Sequence, residues 1–138
     1  MNEKKILFID DEDDFCFFVK LNLEKMGNYK VFTATKGKDG IRLAKQHKPD
    51  LIFLDIMMPE MDGGQVAEEL LEDESISEIP IIFLTAVIKN EEVVENEGQI
   101  GGRDFIAKPV TPQKIIEKIE TYLAASNINI KNKFRFQQ

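Results

Sequence analysis

Leu51-Ile52-Phe53-Leu54-Asp55 is an apolar run closed by a carboxylate, and the same pattern recurs along the chain. Ile6-Leu7-Phe8-Ile9 leads into Asp10-Asp11, Ile81-Ile82-Phe83-Leu84 into Thr85, and Phe105-Ile106-Ala107 into Lys108. Runs this short, rich in β-branched and aromatic residues, read as strands buried on both faces. Working outward, strands are expected at about 4–9, 29–34, 50–54, 80–84 and 103–107. Helical periodicity fills about 12–26, 37–47, 63–73, 89–100 and 112–125. Strands alternating with helices predict an α/β fold, a five-stranded parallel sheet with helices on both faces. The punctuation agrees. Gly27 closes the first helix, Pro49 follows the second, and Thr111-Pro112 reads as an N-cap with proline in the first turn.

Parallel strands bring their carboxyl ends to one edge, where open α/β sheets hold their sites. Asp10, Asp11, Asp55, Thr85 and Lys108 therefore gather from distant segments into one pocket. Three meeting carboxylates repel one another unless a cation intervenes. A hard cation with oxygen ligands, Mg²⁺ or Mn²⁺, suits them and leaves coordination positions for a phosphate oxygen. A carboxylate at such a strand end can attack phosphorus and form an acyl phosphate. A fixed ammonium at Lys108 and the hydroxyl of Thr85 would steady the transferring group. Glu12, Asp13 and Asp14 are accounted for by the dipole of the helix they open.

The chain of 138 residues suffices for one domain with a hydrophobic core. A net charge of −7 argues against general nucleic-acid binding, which needs surplus Lys and Arg. The charge is uneven. Residues 1–125 hold all 25 acids and 15 of the 18 basic residues, net −10, and the last thirteen add +3. One folded domain is expected over 1–125 and a basic, flexible tail over 126–138. Ile128, Ile130, Phe134 and Phe136 alternate in that tail, which also allows an edge strand. The single cysteine, Cys16, excludes an internal disulfide and fits a reducing compartment. The N-terminal apolar run is too short for a signal peptide, and no run approaches a membrane span, so the expected setting is cytoplasmic.

The ordered set resembles the receiver domain of two-component response regulators over about residues 4–124. The matching residues are Asp10-Asp11, Asp55-Ile56-Met57-Met58-Pro59-Glu60-Met61-Asp62-Gly63, Thr85-Ala86 and Lys108-Pro109. The resemblance implies a flavodoxin-like (βα)5 three-layer sandwich with strand order 2-1-3-4-5. It implies that Asp55 takes a phosphoryl group from a sensor histidine kinase or a histidine phosphotransfer protein. Asp11, Asp55 and the carbonyl of Met57 would ligate Mg²⁺, with Asp10 acting mainly through water. Lys108 would pair with phosphoryl oxygens, Thr85 would move toward them, and Phe105 would be the switch aromatic. Lys108-Pro109 would be a cis peptide. The output would be a two-state equilibrium on the face of the fourth helix, fifth strand and fifth helix. That face would serve an unidentified downstream protein or a homodimer, the latter suggested by Ile115, Ile116, Ile119, Tyr122 and Leu123.

Other readings fit less well. An aspartyl phosphatase of the haloacid-dehalogenase type wants a second Asp where Met57 stands. A flavin carrier wants a Ser/Thr/Gly-rich phosphate loop where Asp10–Asp14 stand. A degenerate receiver that only binds proteins would not retain the full set. On the first helix, Phe18, Val19, Asn22, Leu23 and Met26 share a stripe, while Phe17 and Leu21 point away, either as scattered surface residues or as a contact for a partner helix. The segment 89–100 is acidic, poor in apolar residues and broken by Gly98, so its helix is expected to be short or frayed. His47 and Cys16 carry no signal beyond a helix-end residue and a half-buried thiol. Met57 and Val87 are apolar at the two positions that flank water's route to the phosphoryl group in this family. Slow hydrolysis is the expected outcome: phospho-Asp55 in purified protein should last minutes or longer by mass spectrometry, and a half-life of seconds would contradict it.

Overall fold

The computed structural model describes residues 3–85, 99–100 and 103–136. Its elements are β1 (Lys4–Ile9), α1 (Asp13–Glu24), β2 (Tyr29–Ala34), α2 (Gly37–His47), β3 (Leu51–Asp55), α3 (Gly63–Glu72), β4 (Ile81–Thr85), β5 (Gln99–Ile100), β6 (Arg103–Ala107) and α4 (Pro112–Phe136). Five parallel strands lie in the order β2-β1-β3-β4-β6, the expected flavodoxin-like arrangement. One strand was not expected. Gln99 and Ile100 pair antiparallel with Asp104 and Arg103 at the outer edge, with Gly101-Gly102 between them. The rest of the helix expected over 89–100 lies outside the described residues.

Strand alternation splits the core into two layers. Ile6, Phe8, Val31, Leu51, Phe53, Ile82, Leu84 and Ile106 pack under α1 and α4. Leu7, Ile9, Ile52, Leu54, Ile81, Phe83 and Phe105 pack under α2 and α3. This explains why the central strands read as continuous apolar runs: every residue from Ile6 to Ile9 and from Leu51 to Asp55 is buried. Phe8 and Phe53 stack across β1 and β3 with centroids 4.7 Å apart, and the register Phe8↔Phe53 places them side by side.

The helices follow the sequence with three corrections. In α1 the buried stripe is Cys16, Val19 and Leu23, so Cys16 lies inside it rather than at its edge. Phe18 and Met26 are exposed; the helix ends at Glu24, and Gly27 turns the chain at φ 83°. Asp62 and Gln65 form a capping box that opens α3, a signal the sequence reading passed over. The last helix does not stop near 125 but continues to Phe136, so the alternation in 126–136 is not a strand. No glycine or proline interrupts that segment, and its 25 residues span about 37 Å, well beyond the sheet. Ile115 and Ile119 are buried, with Ile116, Tyr122 and Leu123 packed beside them, so this stripe serves the core. Over 112–124 no large apolar side chain of α4 is exposed. Among them, too, no helix is long and apolar enough to cross a membrane.

Truncating the stacked pair tests the two-layer core. Phe53→Ala should cost about 3–5 kcal/mol in urea unfolding. Phe17→Ala, at a position 71% exposed, should stay within about 0.5 kcal/mol. Equal effects would contradict this packing.

Candidate functional site

Register assembles the site. Ile9 faces Leu54, Asp55 faces Leu84, and Thr85 faces Ala107. The residues that follow Ile9 and Ala107 are Asp10 and Lys108, so all four groups share one rim. Backbone bonds extend the ladder past the strand ends: Asp10 N–H donates to Ala34 O at 2.9 Å and Lys108 N–H to Thr85 O at 2.8 Å. The chain after Asp55 is clamped by α3. Gly63 N–H donates to Ile56 O at 2.9 Å, and a Cβ on Gly63 would lie 2.6 Å from the Asp55 carbonyl oxygen. Only glycine permits that approach.

Asp10, Asp55 and Thr85 are the buried polar residues of the protein's described part. Carboxylate oxygens of Asp10, Asp11 and Asp55 lie within 4.8 Å of one another, with Asp11 exposed at the mouth. Glu12 N–H holds Asp10 Oδ1 at 2.9 Å, and Met57 N–H holds Asp55 Oδ1 at 3.0 Å. Lys108 Nζ sits 2.5 Å from Asp10 Oδ2, 2.7 Å from Glu12 Oε1 and 3.9 Å from Asp55 Oδ2. Burial and then the neighbouring Asp10 push the Asp55 carboxyl from 3.8 up to about 7. Burial raises Asp10 as well, against the pull of Lys108. At Lys108 burial opposes the charged form, but Asp10 and Glu12 outweigh it and the pKa is raised. The pocket therefore holds more negative charge than its ammonium can balance.

That surplus fits a hard cation. Asp10 Oδ2 is buried, touched by the ammonium, yet accepts no aligned hydrogen bond. With the convergent carboxylates of Asp11 and Asp55 it forms an oxygen-only donor set of the kind Mg²⁺ takes. Of the other expected site residues, Thr85 is buried at the end of β4 and Phe105 is buried in the α2/α3 layer. Met57 is 63% exposed beside Asp55; Ala86 and Val87 lie outside the described residues. The Lys108-Pro109 peptide is cis.

Residues 6–120 match the response regulator receiver domain family. The chain belongs to that family. Among relatives of this receiver domain, the alkaline phosphatase synthesis transcriptional regulatory protein PhoP of Bacillus subtilis is 37% identical over 126 residues. The match covers 91% of this chain and 50% of PhoP. Protein PilH of Pseudomonas aeruginosa is 36% identical over 120 residues, covering 87% of this chain and 98% of PilH. The chain thus spans about half the length of PhoP and nearly all of PilH. Among solved structures, the Vibrio cholerae chemotaxis protein CheY4 superposes with a TM-score of 0.75 at 25% identity, over 87% of this receiver domain and 98% of that chain.

The sequence reading missed two contributors. Glu12 reaches Lys108, and Phe15 lies beneath the ammonium, 4.7 Å from ring centroid to Nζ. The signal for Glu12 was a third acid directly after the pair; for Phe15 there was none before the fold was known. Two residues recede from the chemistry. The His47 ring stacks on Phe32 at 4.1 Å at the opposite sheet edge, and Cys16 is pushed up to about 12 by burial and then by Asp10, which leaves it an inert thiol.

The raised carboxyls have a stability consequence. Between about pH 4 and 7 the folded protein binds protons that the unfolded chain has released, so stability falls as pH rises toward 7. Metal-free protein should melt at a lower temperature at pH 8 than at pH 6. Asp55→Asn should raise the pH 8 midpoint and flatten the profile; a wild-type midpoint rising from pH 6 to 8 would contradict this.

Proposed function

We propose that Asp55 is the phosphoacceptor of a signalling switch, supplied by a phosphohistidine on a sensor kinase or phosphotransfer protein. One observation carries this reading. The Asp55 carboxylate has one oxygen fixed by Met57 N–H and the other turned toward Lys108 at 3.9 Å, between two further acids. An Asp55 oxygen attacks phosphorus, the phosphorus–nitrogen bond breaks, and the imidazole leaves with the bonding pair. Met57 N–H keeps the carboxylate oriented, and Lys108 is within a side-chain shift of the oxygens that gain charge. Mg²⁺ or Mn²⁺ held by Asp11, Asp55 and the Met57 carbonyl, with Asp10 through water, would supply the remaining neutralisation. Thr85, next to Lys108 across the sheet, and Phe105, two positions before Ala107, would carry the state to the face of β6 and α4.

On this reading the chain turns over no external substrate and works in the cytoplasm. Its partners are the phosphoryl donor and a downstream protein, with a homodimer through the β6–α4 side as one form of output. We assign 1–125 to the receiver and 126–138 to a basic extension that continues its last helix as far as Phe136. PhoP is named a transcriptional regulator, but this chain's acidic surface gives no basis for DNA contact of its own.

Incubation with acetyl phosphate and Mg²⁺ should add one phosphoryl group by intact mass. Asp55→Asn or EDTA should abolish the gain, and Lys108→Ala should keep labelling while removing any labelled-state change in hydrogen exchange at β6. Labelling that survives in Asp55→Asn would overturn the assignment.

A further inference from the structure

Lys108 Nζ is held short of the phosphoacceptor. Its two close partners are Asp10 and Glu12, and Asp55 at 3.9 Å is beyond hydrogen-bond reach. These partners differ in kind. Asp10 is fully buried and pinned by two backbone bonds, whereas the Glu12 side chain is 61% exposed and free to swing. Glu12 occupies the N-cap of α1, but its side chain makes no cap hydrogen bond, so capping does not explain it. Its carboxylate instead accepts from Lys108 at 2.7 Å. The Phe15 ring beneath the ammonium closes the third side of this cradle.

We propose that Glu12 is a positioning residue, a latch that holds Lys108 on the outer rim and sets how readily the site takes up a phosphoryl group. This rests on Asp55 being the acceptor. An ammonium has three donor protons. Two of its sides face Asp10 and Glu12 and a third lies over the Phe15 ring, so to reach an oxygen of a group arriving on Asp55 the ammonium must swing out of this cradle, and the exposed Glu12 contact is the one that yields. Uptake therefore works against the latch, and removing it favours the phosphorylated arrangement. The effect is bounded by the small worth of an exposed ion pair.

The test uses beryllofluoride with Mg²⁺ as the phosphoryl mimic, followed by fluorine NMR. Wild type, Glu12→Gln and Asp13→Asn are compared, because Asp13 is an exposed acid on the same turn outside the ion contacts of Lys108. Glu12→Gln should bind about two- to fivefold more tightly. It should also shift the Lys108 Nζ resonance of the ligand-free protein. Asp13→Asn should change both far less. No gain in Glu12→Gln, an equal gain in Asp13→Asn, or an unmoved Nζ resonance would overturn the latch alone. A wild-type protein that binds no beryllofluoride would overturn the phosphoacceptor reading, and the latch with it.

Discussion

The structure is organised around a single ammonium set among carboxylates at the mouth of a parallel sheet. Asp10 and Asp55 are held out of water within reach of each other, an arrangement that disfavours folding while both are charged. Lys108 and two backbone N–H donors offset part of that cost. The remainder is borne by the core. Strand ends can carry such groups because the strands behind them are fixed on both faces, and a slip of one residue would exchange the two layers. The stacked Phe8 and Phe53 stand two residues behind Asp10 and Asp55. Core and site are thus one construction: apolar packing fixes the register, and the register fixes which charges meet.

The uncompensated charge is also what makes the pocket useful. A site with its acids fully satisfied would have no appetite for a cation and no reactive oxygen. Here Asp10 Oδ2 lacks an aligned donor and Asp55 is pushed up to about 7. Both features point to a second positive partner besides Lys108. The resting contacts of Lys108 fit the same logic, since an ammonium paired with two anions nearer than Asp55 leaves Asp55 without a close cation of its own.

Much of this was legible in the sequence because its strongest signals are local. Apolar runs of three or four residues ending in Asp, Asp, Thr and Lys located four strands and the site edge together, and the βα alternation then left little choice of topology. Legibility failed where tertiary context decides. Which apolar residues of α1 face inward depended on how the helix lies on the sheet, and Phe18 came out exposed while Cys16 went in. The two-residue strand Gln99–Ile100 has no pattern long enough to read, and its existence depends on β6 offering an edge. The continuation of α4 past 125 is unmarked because the segment holds weak helix formers and no stop. Glu12 is the instructive case. As one of several acids opening a helix it was explained by the dipole, and only the cross-sheet approach of Lys108, 96 residues away, gave it a specific partner.

Site-resolved carbon NMR of the Asp55 carboxyl, titrated with and without Mg²⁺, tests the central claim most directly. A carboxyl displaced to about 7 in metal-free protein and drawn well below that value by the cation is the predicted result. An Asp55 that titrates like a free aspartate and ignores Mg²⁺ would mean that the acids do not share a pocket, and would contradict the account.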